Sequence, residues 1–117
     1  MLADVITLAE EISEQTDGAF DITVAPLVNA WGFGFKGGMF PGKAEIDSIM
    51  SAVGYKKIRL EGNNLIKEKP DIMLDCGAIA KGYGTDVIAN MLRRHGIKNF
   101  MVEIGGEIVT AGISEKR

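Results

Sequence analysis

Leu74-Asp75-Cys76-Gly77-Ala78-Ile79-Ala80-Lys81-Gly82-Tyr83-Gly84 decides how the chain is read. A short apolar run ends on a carboxylate, turns at a glycine and opens a helix. A helix start offers unpaired N–H groups and partial positive charge, which suit a phosphate. Asp75 stands just before it, where a carboxylate caps the helix, grips a ribose or ring N–H, or stays near a hard cation. Lys81 lies one turn in, within reach of an anion. The plainer alternative has equal weight: Asp75 as a cap and Lys81 as a solvated helix residue. Gly82 and Gly84 each cost roughly 1 kcal/mol against Ala in a helix interior, so the pair suggests close approach of a backbone or a ligand. Cys76 sits where a helix start could lower a thiol pKa. His95, at the far end of the predicted helix, does not make a Cys–His pair with it.

Working outward, the spacing predicts a helix from Ala78 to His95 with Ala80, Tyr83, Val87, Met91 and Leu92 as its buried stripe. Arg93, Arg94 and His95 occupy its dipole-favoured end and Gly96 closes it. Asn99 to Ile104 and Glu107 to Ile113 read as strands. Gly105-Gly106 between them signals a bulge, a crossing or the close approach of a partner. Glu103 and Glu107 beside it read first as exposed strand carboxylates. Upstream, Ile72-Met73-Leu74 reads as a short strand after Pro70. Tyr55–Leu60 and Leu65–Lys67 form a hairpin about Gly62-Asn63-Asn64. Ala44–Val53 is a short amphipathic helix ended by Gly54. Leu2, Val5, Ile6, Ala9 and Ile12 mark a first helix, stopped at Thr16-Asp17-Gly18.

Ala19 to Gly42 reads as an irregular stretch with Pro26, Pro41 and five glycines. It is also strongly apolar, which a flexible linker is not. An aromatic, glycine-bearing loop could wall a flat heterocycle, but the preferred reading is that Trp31 and the phenylalanines fill core. The expected fold class is therefore α+β: mixed layers of short, mostly antiparallel strands covered by helices, with residues 1–117 as one domain.

The 117 residues are 46% hydrophobic and 25% charged, with net charge −3, as in a soluble globular domain. No apolar run nears the roughly 18 residues of a membrane helix, and Met1-Leu2-Ala3-Asp4 does not open a signal peptide. Mild acidity without a basic patch argues against a nucleic-acid partner. One cysteine excludes an internal disulfide framework. A generic dinucleotide-binding domain is disfavoured by the lack of GxGxxG spacing.

Three segments, taken in order, resemble the ApbE family: Gly-Ala-Phe-Asp…Thr-Val…Pro-Leu-Val-Asn…Trp-Gly-Phe-Gly from Gly18, Leu-Asp…Gly-Ala-Ile-Ala-Lys-Gly-Tyr…Asp from Leu74, and Ile-Gly-Gly-Glu-Ile from Ile104. Its members are FAD:protein FMN transferases, formerly called thiamine biosynthesis lipoproteins. The resemblance implies FAD as substrate, Mg²⁺, and transfer of FMN to a Thr or Ser hydroxyl of a target protein with release of AMP. Some members instead hydrolyse FAD to FMN and AMP. Position by position it implies FAD contacts at Ala19, Phe20, Asp21, Asp75 and Lys81, and a metal ligand at Ala78, necessarily its backbone carbonyl. Ile22 stands where proline commonly follows the aspartate. The resemblance also implies a central piece of a larger domain, truncated at both ends, with no proposed catalytic base of its own. The family is commonly exported and lipid-anchored, which implies the cell envelope. A binding or structural role without catalysis is the alternative, with a homodimer pairing through an open sheet edge.

Overall fold

The computed structural model describes residues 1–33 and 40–114. Gly34 to Met39, part of the aromatic stretch, and Glu115 to Arg117 lie outside the described residues. The chain divides into two compact units, Met1–Cys76 and Gly77–Arg117. Short antiparallel strands and helices make up both, and the strands form two separate two-stranded sheets among the described residues.

The first unit opens with α1 (Leu2–Gln15), which packs against β1 (Ile58–Glu61). Val5, Ile6 and Ala9 are buried, as their spacing requires, but Leu2 is 67% exposed. Ser13 completes the buried stripe: its hydroxyl donates to the Ala9 carbonyl one turn back at 2.7 Å, so it is paired within the core. Gly18 ends the helix at φ +79°, with its N–H on the Ser13 carbonyl at 2.8 Å, the closure a left-handed glycine permits. Ile22, Ala25, Ala52, Val53, Ile58 and Ile72 complete this core. Each large aliphatic residue so buried contributes about 1.5–3 kcal/mol relative to exposure.

Two short elements occupy the stretch expected to be irregular: a 3₁₀ turn at Ile22–Val24, then α2 (Ala25–Ala30) with Pro26 in its first turn. Proline there lacks only an N–H that no helix start can use, and its fixed φ suits the helix. α2 packs against α3 (Lys43–Met50). The Lys57 ammonium donates to the carbonyls of Met50, Ser51 and Val53, closing the end of α3. β1 pairs with β2 (Asn64–Lys67) from Ile58↔Lys67 to Glu61↔Asn64, across a two-residue turn led by Gly62. Ile72-Met73-Leu74 forms no strand. Its polar groups go elsewhere: the Ile72 carbonyl takes the Lys67 ammonium at 3.0 Å and the Ile72 N–H closes a turn on Lys69.

The second unit is α4 (Gly77–Arg94) packed on a hairpin of β3 (Phe100–Ile104) and β4 (Glu107–Ala111). Register runs from Phe100↔Ala111 to Ile104↔Glu107, so Gly105-Gly106 is neither a bulge nor a crossing. It is a two-residue hairpin turn with both φ positive, +57° and +93°, the combination a type I′ turn demands. The buried face of α4 is also not the expected one. Ile79, Thr85 and Ala89 are buried, whereas Ala80, Val87 and Met91 are exposed. Thr85 makes this possible, because its hydroxyl bonds the Gly82 carbonyl at 2.6 Å and leaves its methyl to the interior.

Gly84 meets the Ile104 side chain, with 3.4 Å from a built Cβ to Cδ1, so its smallness serves strand packing. Among the described residues nothing lies within 4 Å of a Cβ at Gly82. Gly82→Ala should therefore raise stability by about 0.5–1 kcal/mol in chemical denaturation. A loss would mean that something fills that space.

Candidate functional site: a cleft beside Asp75

The first unit holds a cleft of about 480 Å³. One side is Ala25, Val28 and Asn29 of α2 with Phe33 beyond it, and the other is the extended run Met73 to Cys76. The size is that of a small-molecule site, and the make-up is of the same kind: apolar walls with few polar groups. Asn29 supplies a carboxamide and Asp75 a carboxylate. Together they suit a flat heteroaromatic ligand with a polar edge, so the residues present fit a flavin or adenine ring. The preference for Trp31 and the phenylalanines as core is not upheld. Phe33 is 86% exposed at the cleft, Trp31 is 43% exposed with its ring 5.6 Å from that of Phe40, and Phe20 is half-buried. Phe35 lies outside the described residues.

Both walls are held by one short segment. Asp21 caps the 3₁₀ turn: its Oδ1 accepts from the Thr23 N–H at 2.8 Å and the Thr23 hydroxyl at 2.7 Å. Its Oδ2 accepts from the Tyr55 N–H at 2.8 Å, and Thr23 Oγ1 accepts from the Gly54 N–H at 2.7 Å. The Ile22 carbonyl accepts from the Asp75 N–H at 2.7 Å. The run carrying α2 is thus bonded directly to the run carrying Asp75. The cap is local in sequence, Asp21 to Thr23, but its partners lie at positions 54 and 55.

Among the residues singled out from sequence, Asp75 lines the cleft. Asp21 holds the turn beneath α2. Ala19 is exposed and Phe20 half-buried, their N–H groups on the Thr16 carbonyl and hydroxyl at 3.1 Å. Ala78 and Lys81 belong to the second unit, both exposed on α4. The Lys81 ammonium lies 3.3 Å from the Gly105 carbonyl, over the hairpin turn. Asn29, Met73 and Cys76 join the cleft without having been expected there. The Cys76 pKa moves opposite to the lowering a helix start would give: burial pushes the thiol up, and the neighbouring Asp75 charge adds to this. Cys76 is therefore a protonated wall residue at neutral pH rather than a nucleophile.

A hard cation is less well served. Mg²⁺ wants near-octahedral oxygen ligands. Among the described residues no group of three or more His, Cys, Asp or Glu could hold a metal, and Ala78 offers one carbonyl in the first turn of α4. The described residues do not by themselves fit a Mg²⁺ site. No helix among them is long and apolar enough to cross a membrane.

Known proteins resemble the chain along nearly its whole length. The FAD:protein FMN transferase of Vibrio cholerae is 42% identical over 94% of this chain, and that of Escherichia coli K12 is 33% identical over 97%. In each case the match covers 34% of the relative, so the chain spans about a third of the length of the curated relatives it matches. The solved structure of the flavin transferase ApbE from Vibrio cholerae superposes with a TM-score of 0.90 at 41% identity, covering 96% of this chain and 37% of that one. That of the Pseudomonas stutzeri flavinyl transferase ApbE, apo form, gives 0.90 at 33% identity, over 96% and 36%. These structures share the mixed fold of helices and short antiparallel strands. With the ApbE family model matching residues 1–117, the chain belongs to the ApbE family.

Proposed function

We propose that this chain carries part of the FAD site of an FAD:protein FMN transferase. A Thr or Ser hydroxyl of an acceptor protein attacks the flavin-side phosphorus of FAD, the pyrophosphate P–O bond breaks, and AMP leaves. The acceptor gains FMN as a phosphodiester. The chemistry is phosphoryl transfer, in which a protein contributes mainly positioning and charge neutralisation. The observation that carries the reading is the cleft walled by α2 and residues 73–76, with Asp75 at its polar edge, in a chain matched end to end by flavin transferases. In this reading Asp75 grips a ribose or ring N–H. That Ala19, Phe20, Asp21 and Lys81 also contact FAD rests on resemblance. Dependence on Mg²⁺, with Ala78 lending its carbonyl, rests on resemblance, as do location in the cell envelope as a lipoprotein and pairing of two copies through open strand edges.

Expressed from its intact gene and supplied with FAD, Mg²⁺ and a threonine-bearing acceptor, the protein should raise the acceptor's mass by one FMN less one water, the hydroxyl proton leaving to solvent. Residues 1–117 alone should transfer none. Release of FMN and AMP with an unmodified acceptor would replace transfer by FAD hydrolysis. FAD left intact with an acceptor-competent control enzyme active would end the reading.

A further inference from the structure

We infer that Thr23 is a positioning residue for the cleft, acting through its hydroxyl on both walls at once. The side chain is fully buried and is not among the residues that line the cleft. Its hydroxyl donates to Asp21 Oδ1 and accepts from the Gly54 N–H, so both of its hydrogen-bonding directions are used. It thereby fixes the 3₁₀ turn to a second part of the chain 31 positions away. Two consequences run from that turn. The next residue but one, Ala25, begins α2 and one wall of the cleft. The residue before, Ile22, holds the Asp75 N–H on its carbonyl and with it the other wall. Without the Thr23 hydroxyl, the Gly54 N–H loses its acceptor and Asp21 Oδ1 loses a donor. The Gly54 N–H is part-buried, and a donor left unpaired there favours rearrangement of the turn. Any rearrangement is passed to both walls because they are joined at residues 22 and 25.

Valine matches threonine in shape and lacks the hydroxyl, whereas serine keeps it. Cys76 is the chain's one cysteine and lines the cleft, so its alkylation by a neutral thiol reagent reads the wall directly, without FAD. At a temperature where circular dichroism shows all forms folded, Thr23→Val should label at least about tenfold faster than the parent, and Thr23→Ser within about twofold of it. In the FMN transfer assay of the protein from its intact gene, Thr23→Val should raise KM for FAD about tenfold with kcat within about twofold, and serine should restore it. Should valine not fold, Asp21→Asn takes its place, since its amide N–H₂ would face the Tyr55 N–H, and it should speed Cys76 labelling likewise. Unchanged labelling in a folded variant overturns the inference. A KM increase that serine does not rescue does the same. The kinetic arm rests on the proposed transferase reading: faster labelling together with no FAD turnover by any form would sink that reading and leave the clasp standing.

Discussion

Asp75→Ala in the intact protein should lower kcat/KM for FAD by about a hundredfold, while Cys76→Ala stays within about threefold. The substitution is unusually selective. The Asp75 main-chain N–H keeps its bond to the Ile22 carbonyl whatever the side chain, which favours retention of the wall when the carboxylate is lost. A hydrogen bond from a charged group at a partly desolvated site contributes about 1.5–3 kcal/mol, and its loss from a transition state scales accordingly. Cys76 offers the opposite case. It borders the same cleft, but its thiol stays protonated, so alanine removes a small apolar surface and no charge. Steady-state FMN transfer at varied FAD checks both. Equal tolerance of the two substitutions would leave Asp75 as a structural residue only.

Gly112→Ala should cost about 2–5 kcal/mol, the largest loss expected from a single methyl in the second unit. Gly112 has φ +79°, a region that disfavours any side chain by roughly 1–2 kcal/mol. The space is also taken. A Cβ there would collide with Asn99 Oδ1 and stand 2.5 Å from the Lys98 carbonyl oxygen and 2.9 Å from Asn99 Cα. Backbone cannot swing aside as a long side chain can, and overpacking of this kind adds about 1–3 kcal/mol. Asn99 is tied further, since its Oδ1 accepts the Ile113 N–H at 3.1 Å. Gly62→Ala is the control: its φ is +62° but nothing lies within 4 Å among the described residues, so only the backbone term applies. Thermal melts of the two variants should differ by on the order of 10 °C. Equal melting temperatures would mean that strain, not contact, governs both positions.

The sequence signals that proved reliable were those written in short-range chemistry. Periodicity placed α1 and α4, Gly18 and Gly96 ended them, and the Gly62 turn set the first hairpin's register. Where the reading went astray, a residue carried two chemistries or a decision lay far along the chain. Thr85 and Ser13 look polar, yet each returns its hydroxyl to its own helix and is buried, and at Thr85 this turned the expected face of α4. Gly105-Gly106 suits a bulge by composition as well as a tight turn; pairing of Ile104 with Glu107 decides for the turn. Residues 72–74 have strand-like composition, but Ile72 spends its hydrogen bonds on Lys67 and Lys69. At the site, Asp75 stood out for its place before a helix. Asn29 and Met73 did not, because only the folded chain sets α2 beside residues 73–76.

The separations along the chain at which contacts form have a bearing on how the two units are made. In the second, α4, β3 and β4 are consecutive, and its hairpin closes over two residues. Such local wiring favours rapid assembly. In the first, the bonds of Thr23 to Gly54 and Asp21 to Tyr55 bridge 31 and 34 positions. Chain entropy must be surrendered across that whole span before either bond returns anything. The cleft is therefore a late product of folding: its walls have no fixed spacing until the one segment that joins them has found a partner some thirty residues downstream.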